Sequence, residues 1–168
     1  DVHVPIENVV GELNDGWRVA NALLAHERLG TANPQLLFEA LERVKKVAKT
    51  TGAINDPYFR ERLAETDIDT VGFAAMFARA AEIANAERSL GLDASVMKIH
   101  GTEILQRICD LLLEAAGTNA SILERIETDE GPVEIAPLFL QVRRATIYGG
   151  SSEIQRNIIS KRILGLPT

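Results

Sequence analysis

The chain has 168 residues, 46% hydrophobic and 25% charged, which suits one globular domain with a sizeable core and excludes a disordered segment. A formal net charge of -6 with interspersed signs argues against a nucleic-acid surface, and no apolar run approaches the about 20 residues of a membrane span. One cysteine, Cys109, rules out an internal disulfide; without a signal-like N-terminus either, a cytoplasmic location is expected.

Aromatic residues make up only 5%, while alanine and leucine recur at short intervals, a bias toward packed helices over strands. Residues 1–14 differ from the rest. Val2, Val4, Ile6, Val9 and Val10 read as the last strand and exit loop of an upstream unit, so residues 15–168 form the domain proper. From Asp15, a plausible N-cap, to Thr51 the spacing is helical, with Gly52 as the stop and Pro34 expected to kink or split the run. Asn55-Asp56-Pro57 supplies a cap and a first-turn proline. Phe59, Leu63, Phe73, Phe77, Ala81 and Ala84 then mark one buried stripe of a long helix.

Asp93 opens a third helix with Ile99, Leu105, Ile108, Leu112 and Ala115 facing inward and Gly117 at its end. Residues 118–132 are polar, contain Gly131-Pro132 and read as a loop. A helix is expected from about Val133 to Thr146, then a glycine break, then a last helix to about Leu164. No strand alternation is visible after the first dozen residues. The fold class is therefore all-α, an antiparallel four-helix bundle with a short terminal helix.

Few residues stand out for chemistry. On a helix Glu27 shares a face with Ala20, Leu23, Leu24, Gly30 and Thr31, small and apolar neighbours that would raise a carboxylate's pKa if buried and fit it for general-base work. From periodicity alone, a surface acid beside Arg28 is the plainer reading. His3, His26 and His100 are isolated, there is no Glu-x-x-His pair, and one cysteine completes no tetrahedral set, so no metal site is expected. The break Tyr148-Gly149-Gly150 precedes Ser151 and Ser152, good caps for a helix whose N-terminus favours polar or anionic atoms; a plain helix–turn–helix corner fits as well.

Two stretches, "NVVGELNDGWRVANALLAHERLG" and "IYGGSSEIQRNIISKRILGLP", resemble the acyl-CoA dehydrogenase family, and the helices between them fit its C-terminal helical domain in order and length. The resemblance implies FAD-dependent α,β-dehydrogenation of an acyl-CoA thioester, in which a carboxylate removes the α-proton and the β-hydrogen leaves as hydride to the flavin. It implies a missing upstream β-domain, homo- or hetero-oligomers formed through this domain, an electron-transfer acceptor, and a place in fatty-acid or sterol side-chain β-oxidation.

Many members carry the catalytic glutamate directly after the tyrosine of this break; here that position is Gly149. Isovaleryl- and long-chain-type members carry it on the first helix before an arginine, and the matching pair is Glu27-Arg28. The resemblance thus implies Glu27 as base, Arg28, Tyr148, Gly149 and Gly150 beside the substrate, and Ser151 and Glu153 toward FAD. Two family stretches are missing. "TTGAINDPYF" lacks the arginine of Arg-x-x-Phe-Gly, and "LLLEAAGTNA" lacks the glutamine of Gln-x-x-Gly-Gly-x-Gly, so a partner subunit completing the site, or a non-catalytic structural subunit, stands as the alternative.

Overall fold

A computed structural model describes residues 1–30, 33–87, 93–121 and 125–167, with the side chains of residues 25–30, 84, 87, 93 and 121 outside that set. Among the described residues, six α-helices and one hairpin follow in the order α1 (Gly16–Gly30), α2 (Pro34–Thr51), α3 (Pro57–Glu87), α4 (Asp93–Ala116), β1 (Arg125–Thr128), β2 (Gly131–Glu134), α5 (Ala136–Val142) and α6 (Ser152–Ile158).

Proline and glycine set the first boundaries. Pro34 splits the expected long helix: the residue before a proline is pushed to extended backbone, so Asn33 sits at φ -69° and ψ 121°, and its side chain accepts from the Gln35 N–H at 2.9 Å. Gly52 closes α2 in the left-handed region at φ +84°. Asp56 then caps α3, its carboxylate accepting from the Tyr58 N–H at 3.0 Å ahead of Pro57.

α4 is the centre of the molecule. It packs against α1, α2, α3, α5 and α6, and most core side chains lie between it, α2 and α3. Val44 and Val47 of α2, Phe59 and Phe73 of α3, and Ile104, Ile108 and Leu112 of α4 are all buried, worth about 1.5–3 kcal/mol each for a large apolar side chain. The stripe read along α3 is firm only in its first two-thirds: Phe73 is buried, but Phe77 and Ala81 are half-buried, and Ala84 falls outside the described side chains. Ile99 and Leu105 likewise stand at the margin of the core, while Ile108, Leu112 and Ala115 occupy it. Cys109 is buried, and burial pushes its thiol up to about 12, the behaviour of an inert small hydrophobe.

The valine-rich start holds one short 3-10 turn, Ile6–Asn8, and its apolar side chains are exposed. Two expectations are corrected. The stretch expected as a loop contains an antiparallel hairpin in which Ile126 pairs with Val133 and Arg125 with Glu134. Its strands have four residues each and offer too few alternating apolar positions to announce themselves. An isolated two-stranded ribbon is marginal in water. Here Val133 and the following Ile135 anchor it in the core, Lys46 of α2 meets Glu130 at 3.2 Å, and Arg125 meets Glu134 at 2.9 Å. Because β2 claims Val133 and Glu134, the next helix begins only at Ala136, and it tightens to a 3-10 turn over Arg143–Thr146.

Candidate active site

The expected site residues near the C-terminus lie on one turn joining the 3-10 segment to α6. Gly149 and Gly150 take φ +66° and +97°, a pair of consecutive left-handed residues that side chains rarely adopt, and this is why two glycines interrupt the run. Ser151 caps α6, its Oγ accepting from the Ile154 N–H at 3.4 Å. Ser152 is buried, and its hydroxyl donates to the Thr146 carbonyl at 3.4 Å. Tyr148 is half in solvent, and the Arg144 guanidinium lies 5.9 Å from its ring centroid.

α4 fixes this turn from beneath. Gln106 donates through Nε2 to the Thr146 hydroxyl at 3.3 Å, and Arg156 of α6 reaches Glu103 at 2.5 Å. Polar side chains run along one face of α4: Ser95, Lys98 and Thr102, at spacings of three and four, are all fully buried. The Thr102 hydroxyl returns to its own helix, donating to the Lys98 carbonyl at 2.7 Å. Glu153, fully exposed in the first turn of α6, has its carboxyl held below the usual range, first by a hydrogen bond from the Ser151 hydroxyl, then by its own N–H, and by the positive charges of Arg156 and Lys98.

The first helix carries the other half. α1 packs on α4, the helix that also seats α6, so the two stretches singled out in the sequence share one support. Glu27 and Arg28 belong to α1, and their side chains lie outside the described set, as does that of His26. The face expected to bury Glu27 is more open within this chain than its composition suggested: Ala20 and Leu24 are half-buried, and Leu23 is 58% exposed. The face is apolar but uncovered, together with Val10, Leu13 and Trp17 just before it.

Of the other histidines, His3 is exposed and His100 meets Phe73 edge-on at 5.7 Å between centroids, a packing role. Among the described residues no three His, Cys, Asp or Glu side chains converge on a point. Neither is any helix among them long and apolar enough to cross a membrane. A shallow groove of about 420 Å³ between α3, α4 and α6 is lined by Met76, Ile99, Glu103 and Ile159 among others, and touches no residue of the glycine turn.

A family model described as "Acyl-CoA dehydrogenase, C-terminal domain" matches residues 14–164. The chain belongs to the acyl-CoA dehydrogenase family. It is 38% identical over 161 residues to the acyl-CoA dehydrogenase IpdE1 of Mycolicibacterium smegmatis, covering 95% of this chain and 39% of that protein. It is 32% identical over 167 residues to FadE34 of Mycobacterium tuberculosis, covering 99% of this chain and 22% of the relative. Among solved structures it is similar to the Tcur3481-Tcur3483 steroid ACAD, with a TM-score of 0.80 and 28% identity over 98% of this chain and 43% of that one. The ChsE4-ChsE5 complex from Mycobacterium tuberculosis matches with a TM-score of 0.74 and 30% identity over 98% of this chain and 44% of that one. The chain thus spans less than half the length of the relatives it matches.

Reading the sequence missed Gln155, Gln106 and Lys98. Gln155 and Lys98 are fully buried, but Lys98 shares its helix face with Ser95 and Thr102 and Gln155 shares its face with Ser151 and Ser152, so neither breaks an apolar pattern that would have marked it. Gln106 is only half-buried, and its spacing carries no mark either.

Proposed function

We propose that this chain is the C-terminal part of an FAD-dependent acyl-CoA dehydrogenase that removes hydrogen across the α,β-bond of an acyl-CoA thioester, with Glu27 as the base. One observation carries this reading: Gly149 stands, at φ +66°, where many family members place their catalytic carboxylate, so the turn has no base of its own. The carboxylate must then come from another element, and α1 brings Glu27 on a small apolar face of a helix seated, like α6, on α4.

FAD, when bound, supplies the acceptor for the electron pair that leaves the acyl chain. Glu27 takes the α-proton, and Arg28 beside it balances the charge of the ionised form. The open apolar face around Leu23 leaves a surface for substrate, cofactor or a neighbouring domain to cover, and such a cover keeps water from the base. Tyr148, Gly149 and Gly150 form the wall beside the acyl group, where the absence of a side chain at Gly149 leaves room for a bulky or branched chain.

The hydrogen-bonding atoms of Ser151 and Glu153 decide which part of FAD they suit. The Ser151 hydroxyl already accepts from the Ile154 N–H and donates to the Glu153 carboxylate, leaving that carboxylate as an acceptor of hydrogen bonds. This fits the hydroxyl- or amine-bearing parts of FAD and does not fit its diphosphate, whose negative charge the ionised carboxylate repels. A bulky sterol-type acyl-CoA as substrate and a second, dissimilar subunit agree with the names of the similar proteins, a steroid ACAD and a two-protein complex among them.

The test uses the full-length protein with any partner subunit. Glu27→Gln is expected to slow acyl-CoA-dependent bleaching of the flavin by about 10²–10⁴-fold, the usual worth of a positioned general base. Bleaching at an unchanged rate would place the base elsewhere. A non-catalytic subunit is the second reading, favoured by the absent arginine in "TTGAINDPYF" and glutamine in "LLLEAAGTNA". It predicts that the purified full-length protein shows no flavin bands, alone or with its partner.

A further inference from the structure

We propose that Gln155 is a positioning residue that holds the Tyr148-Gly149-Gly150 turn in its substrate-facing shape; the inference rests on the function proposed above. Gln155 is fully buried on α6, one turn after the Ser151 cap, and its backbone N–H makes the first helical bond to the Ser151 carbonyl at 2.9 Å. On a helix the side chain leans toward the N-terminus, so the carboxamide reaches back past the start of α6 into the turn. There Nε2 donates to the Gly149 carbonyl and to the Gly150 carbonyl, each at 3.3 Å.

The orientation of the amide is fixed by chemistry. Turning it over would set Oε1 against two carbonyl oxygens, acceptor against acceptor, so nitrogen faces the turn. The consequence is that Oε1, buried, has no donor among the described residues. A buried unpaired acceptor costs about 1–3 kcal/mol. A glutamine chosen only to fill space would be outdone by leucine or methionine, which carry no such cost. What the glutamine adds is the double donation to the turn.

Gly150 completes the arrangement. A β-carbon built there would stand 2.4 Å from Gln155 Nε2, so the carboxamide fills the space a side chain at 150 would need. The two residues are therefore coupled: glycine admits the amide, and the amide ties down the carbonyls of two residues whose left-handed φ angles no side chain contact of their own could fix. Without that tie the most permissive pair in the chain would sample many conformations on the wall of the site, and substrate binding would have to order it.

The experiment is made on the full-length protein with any partner. Gln155→Leu, of similar volume, is expected to lower kcat/KM for acyl-CoA by more than tenfold, with most of the change in KM and with flavin content and melting temperature close to wild type. Gly150→Ala should give at least a comparable loss, because its φ of +97° strains any side chain as well, and combining it with Gln155→Ala should cost less than the product of the single losses, since removing the carboxamide relieves the steric part. A kcat/KM within twofold of wild type in Gln155→Leu, or fully multiplicative effects in the double variant, overturns the proposal. Hydrogen exchange over residues 146–151 gives a readout independent of turnover. Faster exchange in Gln155→Leu, with the rest of α4 and α6 unchanged, supports the positioning role, and equal exchange overturns it. If wild-type protein turns over no acyl-CoA, the functional reading fails, and the exchange measurement alone decides what Gln155 does.

Discussion

Arg156 of α6 and Glu103 of α4 meet at 2.5 Å, joining the helix that begins at the glycine turn to the helix at the centre of the core. Both side chains are about half exposed, 56% and 47%, so water and salt screen the pair. Arg156→Ala is expected to destabilise the protein by no more than about 1 kcal/mol, and the difference should shrink at high salt. Urea unfolding at two ionic strengths checks this. A loss well above 2 kcal/mol would mean that Arg156 holds α6 by something besides the pair.

Gly52 ends α2 at φ +84°, and a β-carbon there would meet only Asn55 Nδ2 at an ordinary 3.8 Å. Space is therefore not the constraint; the left-handed backbone is. Gly52→Ala should cost about 1–2 kcal/mol, and Gly52→Asn distinctly less, because asparagine tolerates that region. Equal melting temperatures for the two variants would contradict this.

Burial lifts the Cys109 thiol from 9.0 to about 12, outweighing the opposing charge of Arg143. The folded state thus keeps its proton where the unfolded chain loses it, so stability falls as pH rises from about 9 toward 12. In the folded protein at pH 8 the thiol should resist alkylation, and unfolding in denaturant should restore ordinary reactivity. Mass spectrometry after iodoacetamide treatment reads both states. Rapid labelling of folded protein would show that the site opens.

Ser151 holds the Glu153 carboxyl low by donating to its charged form. A depressed carboxyl favours the folded state above its ordinary range, and that contribution fades as pH falls through the folded value. Ser151→Ala should move the Glu153 titration up toward the usual glutamate value, as followed by NMR of its side-chain carboxyl carbon. An unmoved titration would assign the shift to the residue's own backbone N–H, with Arg156 and Lys98, instead.

Boundaries made by backbone chemistry were legible from residues alone. Pro34 marked where the first helical run would kink or split, Gly52 and Gly117 marked the ends of theirs, and Asp56-Pro57 the start of another, because φ limits and missing N–H groups act within a few residues. The family was legible for a related reason: the glycine turn and its capped helix form an unbroken local motif, and the position of Gly149 directed attention to Glu27.

What depended on contacts distant in sequence was not legible. The hairpin exists because Val133 and Ile135 find a core made by α2, α3 and α4, and four-residue strands carry too little pattern to show it. The open face of α1 could not be foreseen either, since periodicity tells which residues share a side and not whether anything covers it. Gln155 shows the division within one residue. Its place near a helix start was plain in the sequence, while its fold-back onto Gly149 and Gly150 follows from the burial of α6 against α4, which leaves the carboxamide no water to prefer.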